Sequence, residues 1–265
     1  MKSLFLPLFL ILSGLQLTAQ VTFQPKQLSF EDKGVVYKKE MTFDFKLQTN
    51  GFSIATNFGK LRTYYLTTYY HIELGELKNI KEYRQQSFET NTISGLGSSN
   101  SFVFGKQNSF FVLRGGYGQK RYFSEKAKKQ GLAIGMTYEG GPSLGLLKPY
   151  YLDLGYPIDN GPQMNIRSEK YSAQNHDIFL DRTRISGATG FTKGLSELSI
   201  IPGIHAQATA HFDWGAFDEF VKAIDAGIMV DFFFKKVPIM VEPDNVENSP
   251  LFINLFLNLQ LGKRW

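Results

Sequence analysis

Beyond residue 34, apolar and polar positions along most of the chain alternate with a period of two. The pattern is cleanest in the stretch LFINLFLNLQLGKRW. There Leu251, Ile253, Leu255, Leu257, Leu259 and Leu261 take every odd position, while Asn254, Asn258, Gln260 and Gly262 fall among the even ones. A helix would gather its apolar residues at intervals of three and four, so this row predicts a β-strand with one apolar face.

The same period recurs upstream. Residues 35–48 place Tyr37, Met41, Phe43, Phe45 and Leu47 on one face and Lys38, Glu40, Asp44 and Lys46 on the other. Asn50-Gly51 then supplies the positive-φ residues of a tight type I′ hairpin. Further strands are predicted at about 52–58, 62–74, 102–105, 109–123, 132–138, 144–154, 198–214, 220–235 and 251–265. That makes about ten, or eight if the short piece at 102–105 and one weak neighbour are not separate strands. Gly140-Gly141-Pro142 is expected to break or bend the sheet, and Pro202 to mark a bulge or an edge covered by another subunit. Two stretches, near 75–101 and 155–197, lose the period and are expected to be long loops.

These strands are long. Many reach the roughly 9–11 residues that a tilted strand needs to cross a bilayer, against the usual 5–6 of soluble sheets. In lipid every backbone N–H and C=O must be paired within the protein, so strands persist there only as a closed barrel. A soluble sandwich would show the same alternation. It would not explain aromatics clustered near strand ends, where Tyr64, Tyr70, Tyr150, Trp214 and Trp265 are expected as membrane-interface anchors. The predicted fold class is therefore all-β: a transmembrane antiparallel up-and-down barrel over residues 35–265. Both termini would face the periplasm, and the loops near 75–101 and 155–197 the exterior.

Residues 1–19 fit that destination. Lys2, the apolar run from Leu4 to Leu12 and the small Ala19 have the layout of a cleaved export signal, too short to span a membrane as a helix. Residues 20–34 read as a polar periplasmic arm. Composition changes little beyond this: 24 Phe, 13 Tyr and 25 Gly suit strands and tight turns. The dispersed net charge of +5 leaves no nucleic-acid footprint. The absence of cysteine excludes disulfides, thiolate metal sites and a thiol nucleophile.

The export signal ending Leu17-Thr18-Ala19-Gln20, the Gln48-Thr49-Asn50-Gly51 hairpin, Lys78 to Arg84, Gly140 to Gly145, Ile201-Pro202-Gly203 and the closing Gly262-Lys263-Arg264-Trp265 resemble uncharacterised outer-membrane β-barrel proteins of Bacteroidota. The resemblance runs over most of the chain, and the terminal strand resembles the closing strand and assembly signal of such barrels. It implies a location in the outer membrane, contact with its lipid and lipopolysaccharide, and recognition of the C-terminal strand by the barrel-assembly machinery. It implies a place beside other envelope proteins and no reaction.

The polar faces hold the candidate chemistry. Glu40, Asp44, Lys46, His71, Glu73, Arg114, Glu139, Asp153, His205, His211, Asp213, Asp225 and Asp231 are expected to point inward as a polar lumen network. His205 and His211 share one strand face but lie about 20 Å apart, too far to hold one metal, and no metal or cofactor is expected. A ten-stranded barrel is narrow, so these opposite charges should pair and close the lumen. The expected role is a structural or accessory subunit of an outer-membrane complex, with a small channel as the alternative. A second alternative, a rim hydrolase acting on protein or lipid A, would draw on His176, Asp177 and Asp181 in the long outer loop.

Overall fold

The computed structural model of the protein describes residues 37–86, 101–123, 131–157, 164–216, 218–242 and 248–265. The export segment 1–19, the arm 20–34 and much of the polar stretch before residue 101 lie outside these. Among the described residues there are thirteen strands: β1 Lys39–Gln48, β2 Gly51–Thr63, β3 Leu66–Leu77, β4 Arg84–Gln85, β5 Phe102–Val103, β6 Asn108–Tyr122, β7 Ala133–Pro149, β8 Tyr151–Pro157, β9 Met164–Lys170, β10 Ile185–Ala188, β11 Ser199–Asp213, β12 Phe220–Phe233 and β13 Leu251–Arg264. A one-turn α-helix, α1, spans His176–Phe179, with short 3-10 turns at Ala173–Asn175, Arg182–Arg184 and Leu195–Glu197.

Eight of these strands close into an antiparallel barrel in the order β1-β13-β12-β11-β7-β6-β3-β2. The seam runs from Glu40 opposite Arg264 to Gln48 opposite Phe256, so the first and last strands complete the hydrogen-bond ladder. The barrel is inverted relative to a soluble protein. On β13 the odd-numbered residues Leu251 to Leu261 are exposed, whereas Asn254, Asn258 and Gln260 are buried. A continuous apolar wall around a polar interior is what a lipid-embedded barrel requires.

Of the two expected counts, ten and eight, the barrel has eight. Phe102 and Val103 pair with Arg84 and Gln85 in a small sheet outside the barrel. The stretches at 132–138 and 144–154 are not two barrel strands either. β7 runs unbroken through Gly140-Gly141-Pro142, with the even positions Tyr138, Pro142 and Leu144 outward on both sides of the triplet. The strand itself does not break at the triplet, and the expected disturbance of the sheet is confined to its pairing with β6, where Gly141 sits against the backbone of Gly115 and Gly116 at a spacing that a Cβ would not fit. The β6–β7 ladder skips Gly115 and Gly116, so the missing N–H of Pro142 falls where pairing is already interrupted. Pro202 is accommodated similarly. It stands opposite Leu144 in regular register, one residue beyond the β11–β12 pairing that begins at Gly203.

Both chain ends of the barrel meet at one rim, where the backbone N–H groups of Lys38 and Lys39 donate to the Trp265 carbonyl. Short connections join strands there, and the longer segments cluster at the other rim. The stretch 155–197 is not a period-free loop. β8, β9 and β10 form a three-stranded sheet in the order β10-β8-β9. Its core holds Leu152, Leu154, Phe179 and Ile185 together with Phe102. Alternation thus continues past Pro149, but into a second sheet rather than along the barrel wall.

The loop-rim end of the barrel interior is apolar. Leu77, Phe110, Val112, Leu147, Ile201 and Phe233 pack with Val237, Ile239 and Met240 from the connection between β12 and β13. Phe110 contacts Phe233 edge-on and stacks on Phe252. Asn248 fixes this inserted segment: its Oδ1 accepts from the N–H groups of Ile239 and Met240, and its Nδ2 donates to the Met240 carbonyl. Asn248→Ala is expected to cost about 1–3 kcal/mol through unsatisfied buried amides. Denaturant unfolding of the refolded barrel measures it.

Candidate functional site

Below the apolar plug the interior is polar and closely paired. Alternation decides which residues enter it: each barrel strand sends every second side chain inward. Seven buried carboxylates, Glu40, Asp44, Glu73, Glu139, Asp213, Asp225 and Asp231, share this space with the buried cations Lys46, Arg114, Lys120 and Arg264. Buried His71, His205 and His211 lie among them.

Nearest the plug, Arg114 binds Asp231 through two parallel bonds, Nε to Oδ1 at 2.7 Å and Nη2 to Oδ2 at 2.8 Å. Its Nη1 donates to Glu73, which also receives Lys46 Nζ at 2.5 Å. Lys46 reaches Gln207 Oε1 at 3.0 Å as well. The fork of a guanidinium suits two carboxylates at once, which a point-charge ammonium would not satisfy.

In the middle, Asp44 is held by amides rather than cations. Asn57, Asn258 and Gln260 each donate to it, at 3.0, 2.9 and 3.0 Å. Each of these amides is a donor directed at a carboxyl oxygen. Asn258 also donates to Asp225, which lies 2.5 Å from His211 Nδ1.

At the rim of the chain ends, Arg264 ties Glu40 (2.7 Å) to Asp213 (3.0 Å) and donates to the Gly215 carbonyl at 2.6 Å. Lys120 completes the Glu40 pair at 2.9 Å, and the Tyr122 hydroxyl donates to Asp213 at 2.8 Å. A residual space of about 10 Å³ lies between Asp44, Lys120 and Glu139. That is room for roughly one water molecule.

Asp153 does not belong to this network. It lies on β8 in the loop-rim sheet, where it accepts from the hydroxyls of Ser168 and Thr189. Its assignment to the lumen fails because the chain leaves the barrel wall at Pro149. Tyr150 is likewise not an interface anchor. Its hydroxyl accepts from the Val103 N–H at 3.1 Å, and its ring packs on the loop-rim core. Tyr64 lies in the short turn between β2 and β3, and exposed Trp214 and Trp265 stand at the same rim. Tyr70 is fully outward and packs edge-on against Tyr117 at 5.7 Å on the neighbouring strand.

The outer-loop candidates do not assemble into a catalytic group. His176 Nδ1 is 3.0 Å from the Tyr171 hydroxyl, and Asp177 has no ion pair to it among the described contacts. Asp181 caps the following turn by accepting from the hydroxyl and backbone N–H of Thr183. Those bonds hold its carboxyl below the usual range, unlike a base poised near neutrality.

Sequence reasoning missed a different grouping. His71 on β3 faces Gly116 on β6, and His205 on β11 faces Gly141 on β7. Across these glycines the two imidazoles approach to 6.2 Å between ring centroids. Glu139 on β7 lies beside them, its Oε1 at 3.2 Å from His71 Nε2. The available signal was the glycine pairs, Gly115-Gly116 and Gly140-Gly141, which mark one level where the backbones of two adjacent strands approach closely and send no side chains inward.

Strand order, register and the inverted distribution of apolar residues together define a closed, eight-stranded, up-and-down transmembrane β-barrel. Among solved structures the chain is similar to the Neisserial surface protein A, NspA, at 7% identity and a TM-score of 0.40, covering 86% of this chain and 97% of that one. It is also similar to the N-terminal β-barrel domain of Pseudomonas aeruginosa OprF, at 10% identity and a TM-score of 0.32, covering 86% and 98%. No protein-family model matches the sequence, and no curated protein matches it.

Proposed function

We propose that this protein is an integral barrel of a bacterial outer membrane, closed to solute flow, that acts as a structural or accessory subunit beside other envelope proteins. The pairing of the lumen charges supports this reading most directly. Conduction would require a continuous aqueous path, and bidentate Arg114–Asp231, Lys46–Glu73 and the Arg264 cluster occupy the cross-section at successive levels. The Phe110, Phe233 and Phe252 plug fills the loop-rim end.

The loop rim offers surface for a partner instead. Its small sheet and the barrel mouth bound a depression of about 720 Å³ lined by Lys78, Arg84, Lys106, Lys148, Tyr150 and Phe191 among others. Outer-membrane location rests on the apolar wall together with the export signal read at residues 1–19. The C-terminal strand is the element offered to the assembly machinery.

Purified protein in planar bilayers is expected to give no steady conductance, and reproducible large channels would overturn the closed lumen. Extraction of native membranes in mild detergent is expected to recover other envelope proteins with the barrel. A lone monomer would remove the subunit role.

A further inference from the structure

From His71, His205 and Glu139 we infer a divalent metal site inside the barrel, selective for a first-row transition cation such as Zn²⁺. One donor atom from each residue lies within 4.8 Å of the other two. Tetrahedral zinc with bonds near 2.0–2.1 Å sets its donors about 3.3 Å apart. His71 and Glu139 already stand at 3.2 Å. His205 Nε2 lies over Gly116, 3.4 Å from where a Cβ would stand, and has to turn from there to complete the set.

The hydrogen bonds prepare His71 as a ligand. Asn57 Nδ2 donates to Thr42 Oγ1 and Asp44 Oδ2, which fixes Asn57 Oδ1 as the atom facing His71 Nδ1 at 2.8 Å. An acceptor there places an imidazole proton on Nδ1 and leaves Nε2 facing Glu139 and Glu73, at 3.2 and 3.3 Å. An imidazole oriented in this way by a side-chain carbonyl is the usual second layer of a protein metal site.

The unmet polar atoms converge on the same point. His71 Nε2, Glu139 Oε1 and both ring nitrogens of His205 are buried without a hydrogen bond. His205 is only 4% exposed. Leaving such groups unsatisfied is costly, and His71 Nε2, between Glu139 Oε1 at 3.2 Å and Glu73 Oε2 at 3.3 Å, stands where a cation is favoured. Two imidazoles and one carboxylate suit zinc and its neighbours better than calcium or magnesium, which prefer all-oxygen shells.

The test uses tag-free protein refolded into detergent with Zn²⁺ present and then separated from free metal. Elemental analysis is expected to find one zinc per folded barrel, and X-ray absorption at the zinc edge to show two imidazoles. Asn57→Ala should weaken zinc about 10- to 100-fold by releasing His71, whereas His176→Ala should leave it unchanged. Folded wild-type barrel without stoichiometric zinc, or with zinc lacking imidazole ligands, would overturn the site. Both readouts are taken on the wild type, so failure of a variant to fold leaves the test intact.

Discussion

Arg114→Ala should lower the stability of the refolded barrel by about 3–5 kcal/mol, the cost of stranding buried charge when one partner of an ion pair is removed. Two carboxylates, Glu73 and Asp231, would lose their guanidinium at once, and neither is exposed to water. Lys46 remains on Glu73, so Asp231 bears most of the loss. Urea titration in lipid vesicles, followed by the fluorescence of Trp214 and Trp265, measures the change. A loss below about 1 kcal/mol would mean that water reaches this level and that the lumen is not closed there. Removing the bidentate pair together, with Arg114→Met and Asp231→Leu, should recover much of the deficit, since Lys46 still neutralises Glu73 and well-packed neutral groups often match a buried pair.

Leu257→Arg is the complementary test on the other side of the wall. Leu257 lies in the middle of β13 and is exposed at 58%. At a bilayer midplane an arginine costs about 2–4 kcal/mol, falling to about 0–1 near the interfaces. Leu251→Arg, at the strand's loop-rim end, should therefore be much milder than Leu257→Arg. Equal, small effects at both positions would show that the leucine face meets water rather than lipid. The native Lys263 fits the gradient: at the rim of the chain ends it pairs with Glu219 at 3.0 Å, outside the apolar band.

How far the sequence discloses this molecule differs by level. The inward and outward faces of β1, β11, β12 and β13 follow directly from a period of two, because membrane burial imposes the alternation on every residue. The strand count does not follow so simply. Gly140-Gly141-Pro142 looks like punctuation, yet in place the glycines permit close approach of β6, and the proline spends its missing donor at a gap in that ladder. At Pro149 the opposite happens: the alternation continues to Leu154 while the chain crosses into another sheet, and Asp153 goes with it. The plug formed by Val237, Ile239 and Met240 carries no periodic signal, since its position depends on a turn back into the barrel mouth. The His71, Glu139 and His205 grouping depends on registers across three strand pairings, which a single strand's pattern does not contain.

The seam between β1 and β13 has a kinetic consequence. Glu40 and Arg264 are hydrogen-bonded although 224 positions separate them in the chain. Contacts of such long range require loop closure before they repay it, which slows folding. No subset of the strands can form the closed ladder, because the edge exposed by β1 finds its partner only in the last strand. Until then, two open edges and an apolar outer wall are presented together, a combination prone to aggregation. Folding of this chain should thus be late, cooperative and dependent on lipid, with the Glu40–Arg264 pair forming as the latch of the final step.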